Sequence, residues 1–242
     1  MRLDGERVLV IGGTSGIGLA TARAAALAGA RVAIAGRDRE RLDRALGALP
    51  AGVEGHALDA ADRIALDRLG ERLGRLDHLV LSIATGGGAG PFRTLDLEVL
   101  RRAIAGKVLA GLGALQALLP ALRTDGSVTF VTAASARAAL PGTVGLAALN
   151  GALDSAVPPL AVELAPLRVN AVAPGVTLTP IFERWPAAER ERFLERPRAA
   201  PAGRPGRPEE VARAILALLA NAYVTGVVLV VDGGLRFTAP RG

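Results

Sequence analysis

The sequence predicts an α/β protein: a single domain over residues 1–242, built on a doubly wound parallel sheet of about seven strands with helices on both faces. Short apolar, β-branched runs alternate strictly with amphipathic segments along the 242 residues, the pattern of parallel strands joined by helical crossovers. The first run leads directly into a glycine-rich turn, Gly12 to Gly18, that opens a helix. Half of the residues are apolar, enough at this length for one large core.

Each element has its own pattern. Strands are expected at about 7–11, 31–35, 53–58, 77–83, 126–132, 167–173 and 227–231, as apolar runs bounded by polar or glycine residues. Helices are expected near 16–29, 38–48, 61–73, 96–121, 143–164 and 208–220, where apolar residues recur at helical spacing. The helix near 38–48 carries Arg interleaved with Asp and Glu, an ordinary solvated surface. In the helix near 143–164, Pro158 and Pro159 should kink the axis or interrupt its hydrogen bonding. The least regular stretch, 174–207, is rich in Pro, Arg and Gly, and residues of about 176–207 are expected to form a lid over the substrate.

Composition excludes several classes of chemistry. Without cysteine the chain has no disulfide, thiolate metal site or thiol nucleophile, and its two histidines, His56 and His78, make a histidine-rich metal site unexpected. The net charge of +6 comes with interspersed signs and only 3% aromatic residues, so nucleic acid is not an expected partner. The charged N-terminus runs straight into a strand, and no apolar run is expected to span a membrane. A soluble, cytoplasmic protein is expected.

Ligands of doubly wound sheets bind beyond the carboxyl ends of the strands, where the strand order reverses. The turn there carries Gly12, Thr14, Ser15, Gly16, Ile17 and Gly18. Glycines permit a tight turn and close approach to a pyrophosphate, whose charge meets the amides and dipole of the helix start. At the end of the second strand, Gly36 stands where an NAD enzyme usually has a carboxylate for the ribose hydroxyl, and Arg37 follows. A 2′-phosphate fits that pair better, so NADPH is the expected cofactor. Lys107 is the only lysine among 29 basic residues. An amine can do what a guanidinium cannot, since its pKa falls readily on burial.

From these motifs the chain resembles the short-chain dehydrogenase/reductase family nearly end to end, which implies a Rossmann-type fold and a nicotinamide cofactor. Gly12–Gly18 resembles the family's glycine motif, with Ile11 in place of its leading threonine. The resemblance implies an adenine contact for Asp59 in HALD and a nicotinamide-side role for Pro174, Gly175 and Thr179 after RVNAVAPG. GRPGRPEEVA and YVTGVVLVVDGG resemble C-terminal motifs. Ser82, in LSIA where the family has NNAG, is carried as a further cofactor contact.

The same resemblance shows all four usual catalytic residues replaced. Lys107 stands at the asparagine position, Ala133 at the serine, Leu146 at the tyrosine and Asn150 at the lysine. A placed proton donor contributes ~10²–10⁴-fold in such reactions, and Leu146 cannot supply it. An imine nitrogen is more basic than a carbonyl oxygen and tolerates the missing tyrosine. Three functions follow: an NADPH-dependent reductase of an imine or similarly activated double bond, with Lys107 and Asn150 as catalytic residues; a carbonyl reductase with Lys107 in place of tyrosine; or a non-catalytic NADP-binding regulator or partner subunit. A small-molecule substrate is expected, and the resemblance, with apolar residues around most of two long helices, implies a homotetramer or homodimer.

Other polar groups have blander readings. Thr132 and Ser135 sit near a strand end, where a hydroxyl ordinarily bonds nearby backbone. Asp154 shares a helix face with Asn150 and is expected to be structural. Phe182, Trp185 and Phe193 either wall the substrate site or pack the lid.

Overall fold

The computed structural model describes residues 2–180 and 187–237. Its strands are β1 (Arg7–Ile11), β2 (Arg31–Gly36), β3 (Glu54–Ala57), β4 (Leu76–Leu81), β5 (Leu122–Val131), β6 (Arg168–Pro174) and β7 (Val228–Val231). They form one sheet in the order β3-β2-β1-β4-β5-β6-β7, and every pairing is parallel. The central strands are largely apolar and buried on both faces, as a sheet covered on both sides requires; β6 is buried along its whole length. The chain steps outward from β1 to β3 and then returns to the far side of β1 for β4. Strand order therefore reverses between β1 and β4, and a crevice opens at their carboxyl ends.

Side chains alternate across the pleat, which divides the core into two layers. Val8 and Val10 of β1 face α1 (Gly16–Leu27), α2 (Arg39–Ala48) and α8 (Pro208–Ala220), whereas Leu9 and Ile11 face the opposite layer. That second layer holds α3 (Arg63–Leu73), α5 (Ala110–Leu118) and α6 (Val144–Glu163). Leu66, Leu115 and Leu118 are wholly enclosed there, each burial contributing roughly 1.5–3 kcal/mol. At the foot of β6 the buried Arg168 guanidinium donates to the carbonyls of Leu218 and Leu219, both at 2.8 Å. It thereby closes the end of α8, whose last carbonyls have no partner within the helix.

Two expectations need correction and two gain detail. The helix expected near 96–121 is present over Leu97–Ala121, but α4 (Leu97–Ile104) passes through a π turn over Ala105–Leu109 into α5. The Ala110 amide donates to the Ala105 carbonyl, one residue further back than an α-helix allows. The same run, Leu97–Ala121, does contain a window of mean hydropathy 1.5, apolar enough to cross a membrane, and half of that window is buried inside the protein. Its apolarity serves the core. The stretch expected to be irregular contains α7 (Ala187–Arg198). Finally, α6 continues through Pro158 and Pro159 to Glu163. The prolines withhold two N–H donors, but the helix does not end, and buried Val157 and Ala161 hold it on either side.

Candidate active site

A cavity of about 1690 Å³ occupies the carboxyl ends of the strands, centred on the reversal of strand order. One end of it is built by the turn between β1 and α1. Gly12, Thr14, Ser15, Gly16 and Ile17 line it. Gly18 does not; it is buried in the first turn of α1, where a Cβ would stand 2.8 Å from the Gly12 carbonyl carbon. Gly12, at φ +82°, brings the turn equally close to Ser82, with only 2.8 Å between an added Cβ and the Ser82 carbonyl carbon. Ser15 caps α1 without a side-chain bond, and no acid occupies the first turn. The first amides of the helix are therefore left for an anion.

Arg37 and Asp59 flank the outer rim of this end, both exposed, with Nη1 and Oδ2 3.8 Å apart. Gly36 has no side chain, and a Cβ there would stand 2.6 Å from the Thr14 methyl, so a carboxylate-bearing residue would require Thr14 to shift. Two further arginines, Arg41 and Arg44 of α2, line the same end. Arg41 lies 3.3 Å from Asp38. The interleaved charges of this segment read as plain helix surface in the sequence, although positions 37, 41 and 44 share one side of a helical wheel.

At the other end stand Lys107, Asn150, Ala133 and Leu146. Lys107 projects from the π turn, and its Nζ donates to Asn150 Oδ1 at 2.8 Å. Asn150 is fixed in turn by its Nδ2 donating to the Leu146 carbonyl at 2.8 Å. Lys107 is partly buried and lines the cavity. Burial lowers its pKa from 10.5 to about 8, against a weaker pull upward from Asp154. Asp154, one turn beyond Asn150, is buried with Oδ2 3.2 Å from the Arg137 guanidinium. Burial raises its carboxyl above the usual range, while Thr132, Arg137 and Lys107 favour the ionised form.

The start of α6 is held by the glycine loop after β4. The Leu146 amide donates to the Gly88 carbonyl at 3.0 Å, and a Cβ on Gly145 would approach that oxygen to 2.7 Å. Two glycines at the crossing thus set Leu146 against the cavity. Ser82, Pro174, Gly175, Thr179 and Phe193 line the cavity as well. The Ser82 amide bonds the Ile11 carbonyl at 2.9 Å. Thr132 donates to the Val172 carbonyl at 3.4 Å, the bland role expected of it, whereas Ser135 Oγ is buried with no partner. Phe182 and Trp185 lie outside the described residues.

A doubly wound parallel sheet with an uncapped glycine turn at its switch point defines a dinucleotide-binding oxidoreductase. A family profile described as enoyl-(acyl carrier protein) reductase matches residues 12–236. A 3-oxoacyl-acyl-carrier-protein reductase of Thermotoga maritima is 35% identical, covering 97% of this chain and 99% of that protein. Among solved structures, the MalC reductase/Diels-Alderase of Malbranchea aurantiaca has a TM-score of 0.88 at 29% identity, with 98% of each chain covered. A small-chain dehydrogenase in complex with NADPH has a TM-score of 0.80 at 27% identity, covering 97% of this chain and all of that one. The chain belongs to the short-chain dehydrogenase/reductase family, whose members bind a nicotinamide cofactor. Lys107 of the π turn and Asn150 of α6 meet at the end of the cavity away from the glycine turn, joined by their hydrogen bond.

Proposed function

We propose that the protein is an NADPH-dependent reductase of a polarised C=O bond, with Lys107 as its proton donor. The observation that carries this reading is the partly buried Lys107, whose pKa of about 8 leaves it protonated at neutral pH yet able to release the proton. NADPH supplies the hydride. As negative charge develops on the substrate oxygen, the Lys107 ammonium stabilises it and transfers its proton, while Asn150 Oδ1 holds the amine in place. Ala133 and Leu146 supply no competing donor. Asp154 biases Lys107 toward its protonated form. The names of relatives such as the 3-oxoacyl reductase agree with a carbonyl substrate.

A neutral imine is the second reading. The reacting atom has one donor instead of the usual pair, and nitrogen, being more basic than oxygen, needs no second. A preformed iminium fits less well, since the Lys107 ammonium would repel it. NADPH-oxidation assays across cyclic ketones, neutral imines and activated alkenes decide between these readings. NADPH binding without oxidation by any of them would return the protein to the role of a regulator or partner subunit.

NADPH rather than NADH rests on Gly36, Arg37 and the neighbouring Arg44, for which no ion pair occurs among the described residues. The first turn of α1, Asp59, Ser82, Pro174, Gly175 and Thr179 complete the proposed cofactor contacts. Arg37→Ala is expected to weaken NADPH binding about 10-fold or more, by loss of a charge-assisted contact worth roughly 1.5–3 kcal/mol, and to leave NADH binding nearly unchanged. Titration of each cofactor by fluorescence checks this; equal losses would remove the assignment. The region of about 176–207, with α7, is proposed as the substrate lid. Exposed Leu97, Leu109, Val144 and Val162 on α4, the π turn and α6 support association into a dimer or tetramer, and light scattering that finds a monomer at micromolar concentration would overturn it.

A further inference from the structure

Charge is distributed unevenly along the cavity. Its acidic lining residues among those described, Asp38 and Asp59, both stand at the cofactor end. The opposite end is lined by apolar Leu140, Leu146 and Phe193 and by the cations Lys107, Arg196 and Arg236. Arg236 is already committed, with Nη1 3.1 Å from Asp232 and its guanidinium over the Phe237 ring. Lys107 is held by Asn150. Arg196 differs from both. It projects from α7, and one Nη2 donor bridges to the Pro141 carbonyl at 2.9 Å, across the mouth of the cavity. No carboxylate pairs with it among the described residues, and four of its five donors are uncommitted.

A fork of guanidinium donors on an apolar wall, in a cavity end without acids, is complementary to a small oxyanion, which it can engage with two parallel hydrogen bonds. We infer that Arg196 is a specificity-determining residue that selects substrates carrying an anionic group, a carboxylate or a phosphate, on the end remote from the reducible bond. This inference rests on the reductase reading for the word substrate, but anion binding at Arg196 stands by itself. The bridge to Pro141 adds a consequence. A bound anion would draw on the same guanidinium that ties α7 to the loop before α6, so substrate charge and lid position are set by one side chain.

The test uses the whole protein saturated with NADP⁺. Calorimetric titration with cyclohexanecarboxylate, cyclohexyl phosphate and the uncharged cyclohexanecarboxamide reads anion preference without turnover. The wild type is expected to bind at least one anion 10-fold or more tightly than the carboxamide, and the tighter of the two identifies the anion class. In Arg196→Gln that preference should vanish, whereas Arg196→Lys, which keeps the charge and offers three donors at one point but loses the fork, should retain part of it. Equal binding of anions and carboxamide by the wild type, or a preference that survives Arg196→Gln, would overturn the inference. A parallel assay follows NADPH oxidation with 4-oxocyclohexanecarboxylate and its methyl ester, where the ratio of kcat/KM values should fall 10-fold or more in Arg196→Gln. Equal reduction of acid and ester by the wild type would leave the reductase reading intact and sink this one. Arg196-dependent anion binding with no reduction of either compound would do the reverse.

Discussion

Lys107→Met is expected to lower turnover on ketone substrates by about 10²–10⁴-fold, the usual contribution of a placed proton donor, or roughly 3–5 kcal/mol of barrier. The pH profile makes the expectation specific. With a pKa of about 8, the wild-type amine is protonated below that pH and bare above it, so the reduction rate should be level through neutrality and fall about 10-fold per pH unit beyond 8. Arginine keeps its charge throughout this range. Lys107→Arg should therefore be nearly as slow as the methionine variant, and its descending limb near pH 8 should disappear. Neutral imines should show the same losses, because they too must be given a proton. Turnover within twofold of wild type in Lys107→Met, or an unchanged limb in Lys107→Arg, would show that the amine is structural.

Gly18→Ala should abolish tight cofactor binding by a different route. The added Cβ would lie 2.8 Å from the Gly12 carbonyl carbon and 3.2 Å from the Gly13 Cα, and both are backbone atoms that cannot rotate away. The first turn of α1 must move off β1. Such overpacking costs about 1–3 kcal/mol, which at 2–4 °C per kcal/mol for a domain of this size lowers Tm by about 2–12 °C. The displaced amides are those proposed to meet the pyrophosphate, so NADPH affinity should fall by 10- to 100-fold or more. Calorimetric scans with and without NADPH would separate the two effects. A variant that keeps both its Tm and its NADPH-induced stabilisation would refute the role given to this turn.

The fold was legible because its signals are local and redundant. Runs such as 7–11 and 76–81 are rich in Val, Leu and Ile, and a short strand buried on both sides calls for such a composition. Glycine placement marked the switch point in the same way, since Gly12, Gly16 and Gly18 occupy a turn that larger residues would obstruct. The candidate site was half legible. The lysine stood out as the chain's only one and the asparagine through the family resemblance, but their hydrogen bond spans 43 residues and depends on how α6 and the π turn pack. The π turn itself has no signature: Ala105, Gly106, Lys107, Val108 and Leu109 sit equally well in an ordinary helix pattern. Arg41 and Arg44 were missed because a charged helix surface and a phosphate rim share one composition. α7 was missed because Arg, Glu and Pro outweigh its few apolar residues.

The π turn beneath Lys107 also changes which kinds of genetic accident the site can survive. An α-helix rotates about 100° per residue, so the halves before and after Ala105–Leu109 are held out of phase by one surplus position. Loss of a single codon at Ala105 or Gly106 would let the helix close its ordinary ladder and swing the amine away from Asn150, although lysine, asparagine and every other cavity residue would persist. Point substitutions in the same five positions leave that phase untouched. The placement of the amine against Asn150 thus depends on the number of residues in this helix as much as on their identity.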